Sequence, residues 1–385
     1  MHYFDWTATS PMSENAIRAY CDAAARYIGN PSSTHPLGIE AKSCLEDERA
    51  YVASVLGTKP SNIYFTSGGT ESDSIVLSSL LNSPSPGEII TTGIEHSAIL
   101  EWRRPLESAG WTFTALTCPG GYLNPTTLKE ALNDRVRMVC FMKVNNVTGT
   151  ILDIAALVKV VRDYEKTLGR KIHIHCDAVQ ALGKIIFLPE VEDIDSAAFS
   201  AHKFCGPRGV GILYNRSKSV LSLSKGGGQE KGLRPGTENL AGICSMTAAL
   251  KDSMSCMDEK HDEILGYRCK IEKTALENGY SLISPLSGSN LKFSPYIINI
   301  CVMPMPSEVF LRVMSDKGFC LSAGSACSSN SRGKAESVLA AMNIDHQRRM
   351  SSIRISMGSA TTSSDVDLLC KALADTSVEL GINRS

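Results

Sequence analysis

The most informative part of this chain is Ser200-Ala201-His202-Lys203-Phe204-Cys205-Gly206-Pro207, which frames a lysine that could anchor a cofactor. It continues from Asp195–Ser200, a run typical of a short buried strand, so Lys203 stands where a strand ends. Ligands of open α/β sheets bind at this end of the strands. A single lysine after a strand is more often a solvated surface charge. The interpretation therefore depends on what the neighbouring strands carry.

An aspartate ends a second apolar run. Ile172–Cys176 reads as a strand and is followed directly by Asp177. A lysine and a carboxylate at adjacent strand ends suit pyridoxal phosphate (PLP). The lysine can hold the cofactor's aldehyde covalently, and the carboxylate can keep the pyridine nitrogen protonated so that the ring acts as an electron sink. Together, Lys203 and Asp177 favour a PLP enzyme over a surface lysine.

Bulk composition excludes several classes of protein. The chain has 385 residues, 43% of them apolar and 21% charged, which is ordinary for a soluble globular protein of two domains. Its formal net charge of −1 gives no sign of a nucleic-acid or membrane partner. Met1–Asp5 lacks the features of a signal peptide, so a cytoplasmic location is expected. The 13 cysteines contain no C-x-x-C pair, so we expect free thiols and no metal site.

The order of predicted elements indicates an α/β fold. Strand-like and helix-like segments alternate from about residue 60 to residue 215, which is typical of a mostly parallel sheet flanked by helices. The predicted strands are Ile63–Thr66, Glu88–Thr92, Thr112–Leu116, Val136–Lys143, Ile172–Asp177, Asp195–Ser200 and Val210–Tyr214. Helices are expected after Thr70, Ser97, Pro125 and Asp153, the last of them extended over Arg162–Arg170, and another from Ala241 to about Asn278. Short strands return after Tyr296, as in a smaller α+β domain. We expect a large PLP-binding domain over residues 15–260. Residues 1–14 and 261–385 would form the small domain, which carries the loop Ser322–Glu336.

A glycine turn offers a site for a phosphate. Phe65–Ser72 reads as a strand end, a turn of small residues and a helix start, with Gly69 and Thr70 at the start of the helix. Backbone N–H groups at a helix N-terminus favour phosphate. Plain strand–turn–helix connections use the same residues, but next to a PLP lysine the turn becomes a natural cradle. Ser200 and His202 would be further donors.

Two further strands end in polar residues. His96 follows the predicted strand Glu88–Thr92 and could stack on the pyridine ring and act as an acid or base. Its structural alternative is a histidine that caps the next helix. Asn146 follows the predicted strand Val136–Lys143, and its amide could bind the phenolic oxygen of the ring. Asparagine is equally common in turns, so this role depends on the other motifs.

The C-terminal half contributes an arginine and a thiol. Arg354 interrupts an apolar alternation over Ser352–Ser356, which suggests a carboxylate partner, or else an edge-strand arginine that faces water. Cys327 lies in the small-residue run Ser322–Ser329, where a thiol has the exposure and reach of a nucleophile. An ordinary linker is the alternative. Other cysteines, such as Cys244, lie in apolar contexts and resemble small hydrophobic residues.

Taken together, these motifs resemble the cysteine desulfurases of the NifS/IscS type, in the class V aminotransferase group of fold-type I PLP enzymes. The resemblance covers nearly the whole chain. Besides the motifs above, it includes Tyr3–Asp5, Gly29–Ser33 with His35, Asp177–Gln180 and Arg234–Thr237.

The resemblance implies a full set of cofactor contacts. Lys203 would hold PLP covalently, His96 would stack on its ring, and Asp177 would pair with the pyridine nitrogen. Contacts to the phenolic oxygen would come from Gln180 and Asn146. The phosphate would be bound by Gly69, Thr70, Ser200 and His202.

The resemblance also implies substrate contacts and partners. Arg354 would bind the carboxylate of L-cysteine, with Asn30 and Asn146 nearby. Cys327 would take the sulfur as a persulfide while L-alanine leaves. Thr237 would reach the phosphate site of the neighbouring subunit, which implies a homodimer. The persulfide would pass to an acceptor protein, either a scaffold for iron–sulfur cluster assembly or a thiolation enzyme.

The sequence leaves rival functions open and departs from the family pattern at several positions. A selenocysteine lyase or another class V aminotransferase is the nearest alternative, and a non-catalytic relative is a more distant one. Val147 replaces a common acid and Trp6 a smaller or polar residue. The chain ends soon after Leu380, without the tail by which some relatives dock a scaffold protein. That departure argues against this docking mode rather than against the chemistry.

Overall fold

A computed structural model describes residues 1–324 and 334–382 of the chain. Within these residues the strands are β1 (His2–Tyr3), β2 (Ile63–Thr66), β3 (Glu88–Thr92), β4 (Thr112–Leu116), β5 (Val136–Met142), β6 (His173–Asp177), β7 (Ser196–Ser200), β8 (Gly211–Asn215), β9 (Ser281–Leu282), β10 (Ile297–Cys301), β11 (Phe319–Cys320), β12 (Ser322–Ala323) and β13 (Ser352–Ser356). The α-helices are α1 (Glu14–Arg26), α2 (Pro36–Val55), α3 (Gly69–Ser78), α4 (Ser97–Leu100), α5 (Arg103–Ser108), α6 (Pro125–Ala131), α7 (Ile154–Leu168), α8 (Leu240–Ser255), α9 (Met257–Glu277), α10 (Ser307–Asp316), α11 (Lys334–Ala341), α12 (His346–Met350) and α13 (Ser363–Glu379).

A seven-stranded sheet in the order β2-β8-β7-β6-β5-β3-β4 forms the centre of the first 260 residues. Strands β3 to β7 pair in parallel, and β8 runs antiparallel to both of its neighbours. The mostly parallel sheet expected from the sequence is thereby confirmed. Its inner strands are apolar and buried on both faces, as sheets covered by helices require.

The register of this sheet brings the predicted strand ends together. Met142 of β5 pairs with Asp177 of β6, and Asp177 pairs with Ala198 of β7. The carboxyl ends of the three strands therefore lie at one edge of the sheet. Lys203 follows Ser200 by three residues, so the lysine and the aspartate reach the same edge.

Most predicted helices are present, with three differences. The helix expected over residues 241–278 is divided into α8 and α9 at Cys256. The extended helix before Asp177 ends at Leu168, because Gly169 takes a left-handed conformation (φ 72°) that closes it. The helices α1 and α2 were not predicted from the sequence.

A second, four-stranded antiparallel sheet has the order β12-β13-β10-β9. Strand β1 pairs with β11, and Asp5 forms a bridge with Ser356, so the N-terminal segment lies beside the C-terminal strands. The predicted domain boundary at residue 260 falls inside α9, and the two-domain division stays a prediction. Among the described helices, none has the length and apolar character needed to cross a bilayer.

Candidate active site

A cavity of about 540 Å³ opens at the carboxyl edge of the seven-stranded sheet. Most of the residues predicted from the sequence line it, namely Gly69, Thr70, His96, Asn146, Asp177, Gln180, Ser200, His202 and Lys203. A larger cavity of about 780 Å³ lies at the opposite edge, beside His173 and Arg216, and no predicted site residue lines it. The convergence of nine predicted residues, rather than cavity size, identifies the candidate site.

Lys203 ends a short 3₁₀ turn that follows β7. Its Nζ donates hydrogen bonds to the backbone oxygens of Thr7 (2.6 Å) and Ala8 (2.8 Å). Burial, followed by the positive charges of Lys184 and Arg354, lowers the pKa of this amine to about 7. A large fraction of Lys203 is therefore neutral at physiological pH, and the neutral amine is the nucleophilic form.

Lys184 is a site residue that the sequence analysis missed. Its Nζ donates to Oε1 of Gln180 at 3.0 Å, and Nε2 of Gln180 donates to the backbone oxygen of Thr7 at 3.2 Å. An ammonium group only donates, so it orients the Gln180 amide with Nε2 on the far side. The four-residue spacing between Gln180 and Lys184 was the available sequence signal.

Replacing Lys184 with methionine is expected to raise the pKa of Lys203, because one of the two main neighbouring positive charges is lost. The groups acting on Lys203 are Lys184 and Arg354, which lower its pKa, and Asp177 and Asp5, which raise it. The measurement is the pH dependence of labelling of Lys203 in apoprotein by an amine reagent, read by peptide mass spectrometry.

Wild-type protein should give a labelling midpoint near pH 7 at Lys203. Lys159, whose side chain is 75% exposed, is the internal control, and its labelling should be the same in both proteins. An unchanged Lys203 midpoint in Lys184→Met would show that the charge of Lys184 does not contribute to the pKa of Lys203.

Asp177 ends β6 and is buried at the floor of the cavity. Its Oδ1 accepts a hydrogen bond from the backbone N–H of Val179 at 3.0 Å, which holds the carboxylate in place. Asp73 is fully buried nearby, and its Oδ1 lies 3.0 Å from Nε2 of His175. Burial, and then the charge of Asp177, raise the pKa of Asp73 well above its usual value. Asp73 is a second carboxyl group of the cavity that the sequence analysis did not single out.

The glycine turn before α3 lies at the cavity and leaves the start of the helix open. No side chain of the described residues caps α3, so the N-terminal end of this helix is open to a ligand. Gly68 has a φ of 154°, and a Cβ on Gly211 would lie 2.4 Å from the Gly68 Cα. Only glycine at these two positions lets the turn pack against β8. A Cβ on Gly68 would instead lie 3.5 Å from Oγ of Ser200, so this hydroxyl faces the turn.

His202 and Arg208 complete the same side of the cavity. Nδ1 of His202 lies 3.1 Å from Oγ1 of Thr9, and Nε of Arg208 donates to the same oxygen at 3.3 Å. Burial, followed by the charge of Lys203, lowers the pKa of His202 to about 4, so this ring is neutral at pH 7. Arg208 supplies a positive charge that the sequence analysis missed, although Gly206-Pro207-Arg208-Gly209 directly follows the lysine motif.

His96 both caps a helix and lines the cavity. Its Nδ1 accepts from the backbone N–H of Ala98 at 3.1 Å, so it caps α4, while its exposed ring lines the cavity.

The two adjacent asparagines, Asn145 and Asn146, differ in position. The Asn145 side chain is buried and accepts hydrogen bonds from the N–H groups of Val147 and Thr148, whereas Asn146 lines the cavity.

Arg354 has a carboxylate partner within the chain. Its Nη2 lies 2.8 Å from Oδ1 of Asp5, and its Nη1 donates to the backbone oxygen of Asn146 at 3.1 Å. The side chain is 11% exposed, so the alternative of an edge-strand arginine in water is wrong. Arg354 does not itself line the cavity, but it contacts Asn146, which does. Its role toward a substrate stays a prediction.

Cys327 lies outside the described residues, but β12, which precedes it in the sequence, is described. Ser322 of β12 pairs with Arg354 of β13, and Gly324 donates to the backbone oxygen of Ser352 at 2.8 Å. Cys327 is three residues beyond Gly324, and three extended residues span about 10 Å. The segment that bears the thiol therefore begins next to the arginine strand.

Asn30 and Thr237 are exposed and do not line the cavity of their own chain. Oδ1 of Asn30 accepts from the backbone N–H of Ser32 at 2.8 Å. The loop before Thr237 is anchored by Glu230, which forms a buried two-pronged pair with Arg49 at 2.8 and 2.9 Å. Both predicted roles remain predictions.

The two substitutions relative to the family pattern, Val147 and Trp6, are buried in the core. Val147 is 3% exposed, and its backbone oxygen accepts from Nδ2 of Asn299 at 3.2 Å. Trp6 is 6% exposed, donates from Nε1 to the Tyr3 oxygen at 3.0 Å and packs tightly against Gly358. Neither side chain stands at the cavity, so neither changes its lining.

Comparisons with known proteins identify the family of this chain. Residues 2–369 match the family Aminotransferase class-V. A NifS/IcsS protein homolog of Lactobacillus delbrueckii subsp. bulgaricus is 37% identical, over 95% of this chain and 94% of the relative. The putative cysteine desulfurase IscS 1 of Bacillus subtilis is 33% identical, over 97% of each chain. A solved NifS-like protein superposes with a TM-score of 0.90 at 31% identity, covering 97% of this chain and 98% of that one.

These matches confirm the resemblance to NifS- and IscS-type proteins and the fold inferred from the sequence. They extend over nearly the whole length of both chains. Members of this family use PLP in general. The chain belongs to the aminotransferase class-V family.

Proposed function

We propose that this protein is a cysteine desulfurase that uses PLP to remove sulfur from L-cysteine, with L-alanine and a persulfide on Cys327 as products. The observation that carries the proposal is the meeting of Lys203, Asp177 and the uncapped start of α3 in one cavity. Relatives named cysteine desulfurase, at 33–34% identity, support the reaction type. A solved protein described as SspA in complex with cysteine, at 26% identity, supports the substrate.

The cavity has the donor set that PLP needs. Lys203 would bind its aldehyde, Asp177 its pyridine nitrogen, and Gln180 with Asn146 its phenolic oxygen. The phosphate would lie at the start of α3, near Ser200, His202 and Arg208, where the turn leaves room in front of Gly68. When bound, PLP supplies an electron sink for the electrons left at the substrate Cα when a proton is removed.

Lys203 is the proposed base. Its lowered pKa leaves a lone pair on Nζ near neutral pH, and once the substrate amine has replaced it the lysine can take the proton from Cα. Thr7 and Ala8 would then hold the displaced amine through their backbone oxygens. Asp177 would hold a proton on the pyridine nitrogen, and its carboxylate would thereby favour the negative charge left when the Cα proton is removed.

Arg354 is the proposed carboxylate anchor. Asp5 already holds one edge of its guanidinium, and a guanidinium carries five N–H donors, so a second carboxylate can share it. Its contact with Asn146 would place the substrate carboxylate at the rim of the cavity. Asn30 is proposed to help bind the substrate, although its segment lies outside the cavity of this chain.

Cys327 is the proposed nucleophile. Its thiolate would attack the substrate sulfur, forming a sulfur–sulfur bond while the carbon–sulfur bond breaks and its electron pair goes to the carbon that becomes the alanine methyl group. His96 would take the proton of the substrate thiol. The short distance from Gly324 to Cys327 along the chain supports this role, since Gly324 lies next to the Arg354 strand.

We also propose a homodimer in which Thr237 completes the phosphate site of the neighbouring subunit, and a protein acceptor for the sulfur. The exposure of Thr237 and its absence from the cavity of its own chain support the shared site. Every described cysteine is a free thiol, which is typical of a reducing compartment and supports a cytoplasmic location.

The test is incubation of the PLP-loaded protein with L-cysteine and a reducing thiol. Equal amounts of L-alanine and sulfide are expected, together with added sulfur on the peptide that contains Cys327. A keto acid without sulfide would indicate an aminotransferase instead, and turnover of L-selenocysteine alone would indicate a selenocysteine lyase. Protein that takes up no PLP would contradict catalysis altogether.

A further inference from the structure

Two free thiols, one from each of two neighbouring helices, lie close together outside the cavity. Cys44 of α2 and Cys244 of α8 are 200 residues apart in sequence, and their Sγ atoms lie 3.5 Å from each other. The two helices pack side by side. The absence of a C-x-x-C pair had argued against any metal site, but that argument considers only neighbours in sequence.

A carboxylate completes the cluster. Glu48 follows Cys44 by one turn of α2, so both side chains lie on the same face of the helix. One ligand atom from each of Cys44, Glu48 and Cys244 lies within 4.8 Å of the other two. Cys244 is buried, whereas Cys44 and Glu48 are half-buried, so an ion from solvent has access to the cluster.

The carboxyl group of Glu48 takes part in none of the ion pairs found among the described residues. Thr247 and Cys244 lie within hydrogen-bonding reach of it. Tyr27 is a neighbour of Cys44 and hydrogen-bonds to its sulfur. A divalent cation binds thiol and carboxyl groups of this kind in their deprotonated form.

We propose that Cys44, Cys244 and Glu48 bind a zinc-class divalent cation, with water as the fourth ligand. Zinc takes thiolate sulfur at about 2.3 Å and carboxylate oxygen at about 2.0–2.2 Å in tetrahedral sites, which places ligand atoms roughly 3.3–3.8 Å apart. The thiol separation of 3.5 Å falls in this range, and rotation of the Glu48 side chain can close the rest. Tyr27 would donate a hydrogen bond to the Cys44 thiolate and orient it.

The bound ion would link α2 to α8. In the sequence, each of these helices comes after a segment that lies outside the cavity. Helix α2 begins after the segment that contains Asn30, and α8 begins after the loop that contains Thr237. The role of the ion is therefore structural, and it does not depend on the proposed desulfurase activity. Zinc should raise the unfolding temperature of the protein.

The test uses PLP-loaded Cys327→Ala protein, so that the thiol of Cys327, the proposed sulfur acceptor, cannot bind the metal. Equilibrium dialysis against Zn²⁺ should give one zinc per chain, and Co²⁺ in its place should give a sulfur-to-cobalt charge-transfer band. Adding Cys44→Ser with Cys244→Ser should abolish both signals and the thermal shift. Adding Tyr27→Phe should weaken zinc binding by about tenfold, as loss of an orienting partner does.

Cys269→Ser, which removes an exposed thiol of α9, is the matched control and should leave zinc binding unchanged. Glu48→Gln separates metal binding from thiol chemistry, because it should reduce zinc affinity without altering thiol reactivity. Retention of stoichiometric zinc in the double serine variant would overturn the proposal. A Cys44–Cys244 disulfide in protein that takes up no zinc after reduction would overturn it as well.

Discussion

Cys327→Ala protein is expected to bind PLP normally and to produce neither persulfide nor sulfide from L-cysteine. The substitution removes the proposed sulfur acceptor, whereas the lining of the cavity, including Lys203 and Asp177, is unaffected. The visible absorbance of the bound cofactor should therefore match that of the wild type. The measurement combines that spectrum with alanine and sulfide assays and with peptide mass spectrometry after L-cysteine treatment.

Cys269→Ala is the control for Cys327→Ala, because Cys269 is an exposed thiol that lies in α9 and lines no part of the cavity. It should retain full activity. Sulfide release from Cys327→Ala at the wild-type rate would contradict the role of Cys327, even if the protein proved to be a PLP enzyme of another specificity.

Asp177→Asn is expected to reduce kcat/KM for L-cysteine on the order of 10²–10³-fold, the range found when a preorganised electrostatic contact is removed. Asparagine keeps an oxygen for the Val179 N–H, so the local backbone should be retained. It lacks the negative charge that holds a proton on the ring nitrogen. The absorbance spectrum of the loaded protein should change along with the rate.

Asp163→Asn provides the control for loss of one negative charge, since Asp163 is a half-exposed partner of Lys159 and Lys166 on α7. We expect wild-type kinetics from it. An Asp177→Asn enzyme with unchanged spectrum and rate would mean that another group, such as the buried Asp73, pairs with the ring nitrogen.

The central sheet was predictable because its strands are short apolar runs between polar turns. The predicted Ile63–Thr66, Glu88–Thr92 and Thr112–Leu116 coincide with β2, β3 and β4. Helices α1 and α2 escaped prediction because α1 has many small and charged residues and α2 has little separation of polar and apolar faces. Their stability comes from packing against α8.

The cavity was predictable to a similar degree. Residues at strand ends, such as Lys203 and Asp177, were identified because parallel strands place their carboxyl ends at one edge. Lys184 and Arg208 were missed because a lysine or arginine in a turn looks like any surface charge until its contacts are known. Arg354 was expected to have a carboxylate partner, but sequence could not name Asp5, which lies 349 residues away.

The sequence alone was enough to predict the chemistry proposed for this protein: which side chain could bind an aldehyde, which carries a charge at a strand end, and where a phosphate could fit. These properties depend on residue type and on the local strand or turn, and both can be recognised in short stretches. The long-range pairs became visible only in the folded chain, namely Arg354 with Asp5, Gln180 with the Thr7 carbonyl, and Cys44 with Cys244. Such pairs form when packed elements bring distant residues together, and no local pattern encodes that distance.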